Sequence, residues 1–205
     1  MRKVLLGLVV VALASPAFAG ERSNSNKVLK IGDKAPDFAG IPAHAPNGEE
    51  ASLTLADLKE DVVVVVFLAN HCPVVRACDD RIIEFTNDYK DKGVRVVGLC
   101  VNDIEEDKLP AIKKHMADKK INYTYGYDES QAVGRAYGAV VTPSFFVLDK
   151  DRVIRYMGLM DDNTMDEAKV SKQYLRDAVD AVLAGETPAV EETRPTGCGI
   201  GYVKK

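Results

Sequence analysis

Tryptophan is missing from this 205-residue chain, and cysteine and histidine are scarce, with four of one and three of the other. Four cysteines at this length are too few for a fold held by a disulfide framework. A hydrophobic core must then carry stability, which leaves the cysteines free for chemistry. There is no basic excess: 27 Lys and Arg stand against 31 Asp and Glu, for a net charge of −4. No basic stretch with interleaved aromatics occurs either, which excludes nucleic acid as the partner. Past the N-terminus no apolar run is long and uninterrupted enough to cross a bilayer. No internal repeat or low-complexity tract stands out, and the composition is otherwise that of an ordinary globular domain.

What is present begins at the N-terminus. Met1-Arg2-Lys3 is a short basic start, Val4 to Leu13 a short apolar core, and Ala17-Phe18-Ala19 a small-x-small cleavage site before Gly20. This pattern predicts a secretory signal peptide over residues 1–19, too short to be a spanning helix. No cysteine sits at the cleavage site, so a lipid-anchored form is not expected. Cleavage after Ala19 would remove Arg2 and Lys3 and leave a more acidic chain. The expected location is therefore outside the cytoplasm, periplasmic or secreted, with no membrane span. All four cysteines, Cys72, Cys78, Cys100 and Cys198, lie beyond the signal, and four cysteines allow three full pairings.

The most informative stretch is Val62-Val63-Val64-Val65-Val66-Phe67-Leu68-Ala69-Asn70-His71-Cys72-Pro73. The β-branched run reads as a strand buried on both faces, as the centre of an α/β sheet requires. Pro73 suits the first position of a helix, where a missing N–H costs nothing. A thiol at that junction faces free backbone N–H groups and the positive end of the helix dipole. Both favour thiolate, the nucleophilic form of cysteine. Cys72 is thus the candidate nucleophile.

The rest of the chain alternates in type. Residues 20–30 read as a loose leader and 31–38 as an extended opening segment. Pro46-Asn47-Gly48 is a turn signal, and Thr54 or Ser52 is placed to cap a short helix through Leu55 and Leu58. After the strand at 62–68 come a helix over 73–90, a strand over 94–101, a helix over 110–119 and a short helix over 133–137. Strands at 144–148 and 153–157 follow, joined by Asp149-Lys150-Asp151-Arg152, an antiparallel turn. A last helix spans about 171–183. The domain is expected over 31–187, followed by a tail over 188–205 that carries Cys198. Strands alternating with helices imply a parallel core, and the late hairpin adds an antiparallel edge.

That layout resembles the thioredoxin fold, an α/β fold with a central mixed sheet and helices on both faces. Val141-Thr142-Pro143-Ser144 resembles the cis-proline element that thioredoxin-like proteins carry before the hairpin, so Pro143 is expected to follow a cis peptide bond. Gly32-Asp33-Lys34-Ala35-Pro36-Asp37-Phe38 resembles the opening of the redoxin group, which includes alkyl hydroperoxide reductase/thiol-specific antioxidant proteins. Asn70-His71-Cys72-Pro73, Met160-Asp161-Asp162-Asn163 and Gly197-Cys198 are similar to an exported subgroup with Asn-His-Cys-Pro at the active site. The resemblance implies thiol-disulfide chemistry at Cys72, shaped by Asn70, His71, Pro73, Thr142 and Pro143. It implies no organic cofactor and no metal.

The chain departs from both familiar chemistries of that group. A Cys-x-x-Cys dithiol would need cysteine where Val75 stands. The peroxiredoxin Pro-x-x-x-Thr-x-x-Cys pattern would need threonine at Ala69 and proline at Val65. A resolving thiol must come from elsewhere. Cys78 lies six residues on, about 9 Å of helical rise and about 240° around the helix from Cys72, so the helix would have to unwind. Cys198, between two glycines in the tail, is favoured, because loop-closure cost grows slowly with separation. Cys100, inside an apolar strand, reads as an inert core cysteine.

Other groups carry less. His71 could help hold thiolate or shuttle a proton. His44 and His115 show no ligand spacing. Asp161-Asp162-Asn163 reads as a turn or cap rather than a cation site, and Glu105-Glu106-Asp107-Lys108 as a solvated loop. The expected function is an exported thiol-disulfide oxidoreductase with Cys72 as nucleophile. Its partners would be a protein or small-molecule disulfide or a peroxide, and a thiol electron donor. A thiol-dependent peroxidase and a non-catalytic binding module of the same fold are the alternatives.

Overall fold

The structure is a computed structural model that describes residues 23–204. The expected signal peptide, residues 1–19, lies outside the described residues.

The apolar run forms β3 (Val62–Phe67), six residues buried on both faces. The even-numbered side chains Val62, Val64 and Val66 enter one core, and Val63, Val65 and Phe67 enter the other. This is the period-2 alternation of a strand with a packed layer on each side. β3 pairs in parallel with β4 (Val94–Cys100) and antiparallel with β7 (Ser144–Leu148), which pairs with β8 (Ile154–Gly158). On the other flank β4 pairs in parallel with β5 (Thr124–Tyr127), and β1 (Ile41–His44) and β2 (Glu50–Leu53) complete a seven-stranded sheet of order β2-β1-β5-β4-β3-β7-β8.

Three helices cover one face: α1 (Pro73–Tyr89), α2 (Leu109–Lys119) and α4 (Tyr174–Leu183) bury Val75, Ile82, Phe85, Ile112, Met116, Leu175 and Val179 in the core of Val64 and Val66. The opposite face takes Phe38, Leu53, Leu55 and α3 (Ala132–Ala136) with Tyr137. The parallel core, antiparallel edge and helices on both faces match the expected fold.

Three local features differ from expectation. β5 is a strand that the sequence did not announce; Thr124-Tyr125-Gly126-Tyr127 is short and contains glycine. Gly126 serves the packing there, since a Cβ would sit 3.1 Å from Leu53 Cδ1 and 3.2 Å from the Pro42 carbonyl oxygen. The turn signal at 46–48 does close a hairpin, β1–β2, with Gly48 at φ +80°. Thr54 caps nothing: the segment Leu55–Asp57 is a single 3-10 turn, and Thr54 Oγ1 accepts the Gly40 N–H instead. The last helix starts at Tyr174 rather than 171, because Ser171 and Lys172 give their backbone N–H groups to the Asp162 carboxylate.

Residues at the two ends of the described chain meet. Asn24, Ser25 and Asn26 donate their backbone N–H groups to the Glu192 carboxylate at 2.5–3.0 Å, and Asn26 Nδ2 donates to the Tyr137 carbonyl. The segment after Pro188 runs back across the sheet end and forms β9 (Cys198–Gly199), antiparallel to β6 (Val141–Thr142). Among the described residues no helix is long and apolar enough to cross a membrane.

Candidate active site

β3 delivers the chain to Cys72 at the sheet's end. The Cys72 N–H closes a turn onto the Ala69 carbonyl at 3.1 Å, and its carbonyl accepts the Arg76 N–H at 3.1 Å, the first bond of α1. Cys72 is therefore the N-cap residue and Pro73 the first helical residue, as the spacing predicted. Cys72 thus stands at the N-terminus of a 17-residue helix, whose first N–H groups have no partner within the helix.

The Cys72 sulfur is bonded to Cys198, 126 residues away, with the two Cα atoms 5.9 Å apart. Pro143 follows a cis peptide bond, and the carbonyl oxygen of Thr142 lies 3.4 Å from Cys72 Sγ. Thr142 stands opposite Cys198 in the β6–β9 pair. The structure thus gathers Cys72, Pro73, Thr142, Pro143 and Cys198 at one point. Cys72 is fully buried, packed in the same core cluster that Cys198 joins.

The other two thiols are free and buried. Cys78 is not joined to Cys72. It points at the Thr164 carbonyl and the Arg81 guanidinium, each 3.4 Å away, and burial pushes its thiol up to about 11. Burial raises the Cys100 thiol as well, fitting its reading as a core cysteine.

The residues before Cys72 are anchored by a loop that the sequence reading placed in solvent. Asp107 is completely buried; its carboxylate accepts the His71 backbone N–H at 3.1 Å and faces His71 Nδ1 at 2.7 Å. The carboxylate can only accept, so Nδ1 carries the proton and Nε2 is the basic ring nitrogen. Asn70 donates to the Glu106 carbonyl, and its own carbonyl accepts from Arg76 Nε. Nothing in a run of charged residues marks Asp107, at the end of the short 3-10 turn Glu105–Asp107, as the one that turns inward.

Met160-Asp161-Asp162-Asn163 resolves into structural roles. Asp161 pairs with the buried Arg81 guanidinium and accepts the Asn163 N–H, and burial holds its carboxyl above the usual range. Asp162, bonded by Ser171 and Lys172, is lowered to about 2. Among the described residues no three His, Cys, Asp or Glu side chains converge on a metal site. Ala69 and Val65, at the positions where a peroxiredoxin would carry its threonine and proline, are buried apolar residues.

The strap around Cys198 is tied on both sides. Upstream, the Met157 N–H donates to the Glu191 carbonyl, the Thr193 N–H donates to the Met157 carbonyl, and Thr193 Oγ1 accepts the Leu159 N–H. Downstream, Gly201 N–H bonds Asn102 Oδ1, Gln131 bridges the Gly201 carbonyl and the Val203 N–H, and Tyr202 packs over Arg135 at 4.4 Å.

Fold and site define a thioredoxin-like protein with a buried disulfide at a helix start. A thioredoxin-like protein solved in its oxidised form superposes with a TM-score of 0.62 at 22% identity, over 77% of this chain and 99% of its own. The sequence profile of the family described as Redoxin matches residues 30–174, and the chain belongs to that family. It is 25% identical to the thiol-disulfide oxidoreductase ResA of Bacillus cereus over 73% of this chain and 81% of that protein. It is 24% identical to the protein DipZ of Mycobacterium tuberculosis over 82% of this chain, and spans about a quarter of DipZ's length (26%). A hypothetical protein from Sinorhizobium meliloti, SMc02350, superposes with a TM-score of 0.77 at 32% identity, over 86% of this chain and 97% of that one.

Proposed function

We propose that this chain is an exported thiol-disulfide oxidoreductase in which Cys72 is the nucleophile and Cys198 the resolving thiol. The observation that carries this reading is the Cys72–Cys198 bond, made at the start of α1 and against Thr142. Membership of the Redoxin family, with a thiol-disulfide oxidoreductase among the relatives, supports the reaction class. The basic, apolar and small-residue pattern of residues 1–19 supports export, and Asn70-His71-Cys72-Pro73 supports the exported subgroup.

In the reduced protein, Cys72 thiolate attacks one sulfur of a partner disulfide. A Cys72–partner disulfide forms and the first partner thiolate leaves. Cys198 thiolate then attacks Cys72 Sγ, the Cys72–Cys198 bond forms, and the second partner thiolate leaves. The partner disulfide has gained two electrons and the protein has lost two. An external thiol donor restores the dithiol by the reverse exchange. β6 offers its backbone to the partner, His71 sits beside the nucleophile, and Asp107 fixes the imidazole tautomer.

The test is turnover of a protein disulfide with a thiol donor. Cys72→Ser is expected to abolish it, and Cys198→Ser to stop at the mixed disulfide within the first turnover, with the partner trapped on Cys72. Full turnover by Cys72→Ser would sink the reading.

A further inference from the structure

Residues 197–199 lie along β6 as a peptide strand, with Cys198 opposite Thr142 and Gly199 opposite Val141. They occupy the backbone edge that a partner strand would need for its own sulfur to reach Cys72. The chain around that sulfur therefore records what the edge accepts.

The two flanking glycines meet different surroundings. A Cβ added at Gly197 would lie 2.8 Å from the Thr142 carbonyl carbon and closer still to its oxygen. These are backbone atoms held in β6, so they cannot turn aside as a side chain would. A Cβ added at Gly199 would meet nothing within 4 Å. The site is selective before the cysteine and open after it.

We infer that the β6 edge beside Cys72 is a docking groove for an extended peptide whose cysteine is preceded by glycine, and that residues 194–199 are its resident occupant. The ties of residues 191–193 to Met157 and Leu159, and of 200–203 to Val140, Asn102, Gln131 and Arg135, involve neither sulfur. Once the disulfide opens, the strap between them can lift while both of its ends stay bound. A partner then takes its place, and Cys198 remains within reach to resolve the mixed disulfide. This inference rests on the disulfide exchange proposed above.

The experiment uses the full chain carrying Cys198→Ser, which leaves Cys72 free. Three blocked peptides, Thr-Gly-Cys-Gly-Ile, Thr-Ala-Cys-Gly-Ile and Thr-Gly-Cys-Ala-Ile, are each presented as the mixed disulfide with thionitrobenzoate. Cys72 thiolate attacks the peptide sulfur, the Cys72–peptide bond forms, and coloured thionitrobenzoate leaves with the electron pair. The two peptides with glycine before cysteine are expected to react within about threefold of each other, and the alanine peptide at least about tenfold more slowly, the scale of discrimination a single misplaced methyl gives. Equal rates for all three overturn the groove. So does a failure of all three while the symmetric thionitrobenzoate disulfide still reacts at Cys72. Failure of that reagent too sinks the proposed function instead. A second variant, Gly197→Ala in the otherwise native chain, is expected to reclose the Cys72–Cys198 bond at least about tenfold more slowly with an unchanged circular dichroism spectrum. Reclosure at the native rate overturns the inference.

Discussion

Thr142 stands opposite Cys198 across the β6–β9 pair, and its carbonyl oxygen lies 3.4 Å from the Cys72 sulfur that Cys198 holds. One backbone position thus serves both cysteines. It aligns the strap that carries the second thiol, and it borders the first where the helix N-terminus favours thiolate. A short Cys-x-x-Cys spacing is not needed when the sheet end brings a distant thiol to the same place.

Reduced protein is predicted to be alkylated at Cys72 before either core thiol. Cys72 has the helix N-terminus, whereas burial pushes Cys78 up to about 11 and raises Cys100 as well. Iodoacetamide labelling mapped by mass spectrometry across pH checks this. Cys72 is modified near neutrality, and Cys78 follows only as pH approaches about 11. Prior modification of Cys78 or Cys100 would contradict the assignment.

Asp107→Asn is predicted to slow disulfide exchange at Cys72, because the His71 imidazole beside the nucleophile loses the carboxylate that orients it. It should also cost about 1–3 kcal/mol of stability, because the His71 N–H and ring lose a buried charged acceptor. The exchange rate against pH, measured beside urea unfolding, separates the two effects. A loss of stability with an unchanged pH profile would make Asp107 a structural residue alone.

How legible this was differs between fold and site. β3, α1 and the late hairpin were read from Val62–Phe67, Pro73 and the charged turn, because local period and turn chemistry decide them. β5 was not, since its four residues are fixed by pairing with β4 and β1 rather than by their own pattern. At the site, Cys72 and Pro143 carried local signals and Cys198 had only its glycines. Asp107 and Gln131 had none, because their roles depend on segments about 30 or more residues away, His71, Val101 and Gly201.

Glu192→Gln is predicted to destabilise the protein by about 1–3 kcal/mol, since three backbone N–H groups lose a charged acceptor. Hydrogen exchange at Asn24, Ser25 and Asn26 should quicken with it. An unchanged unfolding midpoint with unchanged exchange at those amides would show that the two ends of the chain are not coupled through this carboxylate.

Hydrogen peroxide is predicted to oxidise the reduced protein slowly, no faster than an ordinary low-pKa thiol. Ala69 and Val65 are buried apolar residues and offer no hydrogen-bonding side chain to a peroxide. Positioning of that kind is worth up to about 7–11 kcal/mol of barrier in favourable cases, so its absence outweighs a modest gain in thiolate. Stopped-flow oxidation decides the matter. A fast peroxide reaction abolished by Cys72→Ser, without disulfide activity, would favour the peroxidase.

The most direct measurement is disulfide mapping by mass spectrometry during a single turnover, with the reduced chain mixed with a protein disulfide and quenched by acid. The account predicts a transient bond between Cys72 and the partner that gives way to Cys72–Cys198, with Cys78 and Cys100 free throughout. In the Cys198→Ser chain the transient bond should accumulate. Partner disulfide reduced with Cys72 unbonded at every time, or a Cys72–Cys78 bond as the end state, would contradict it.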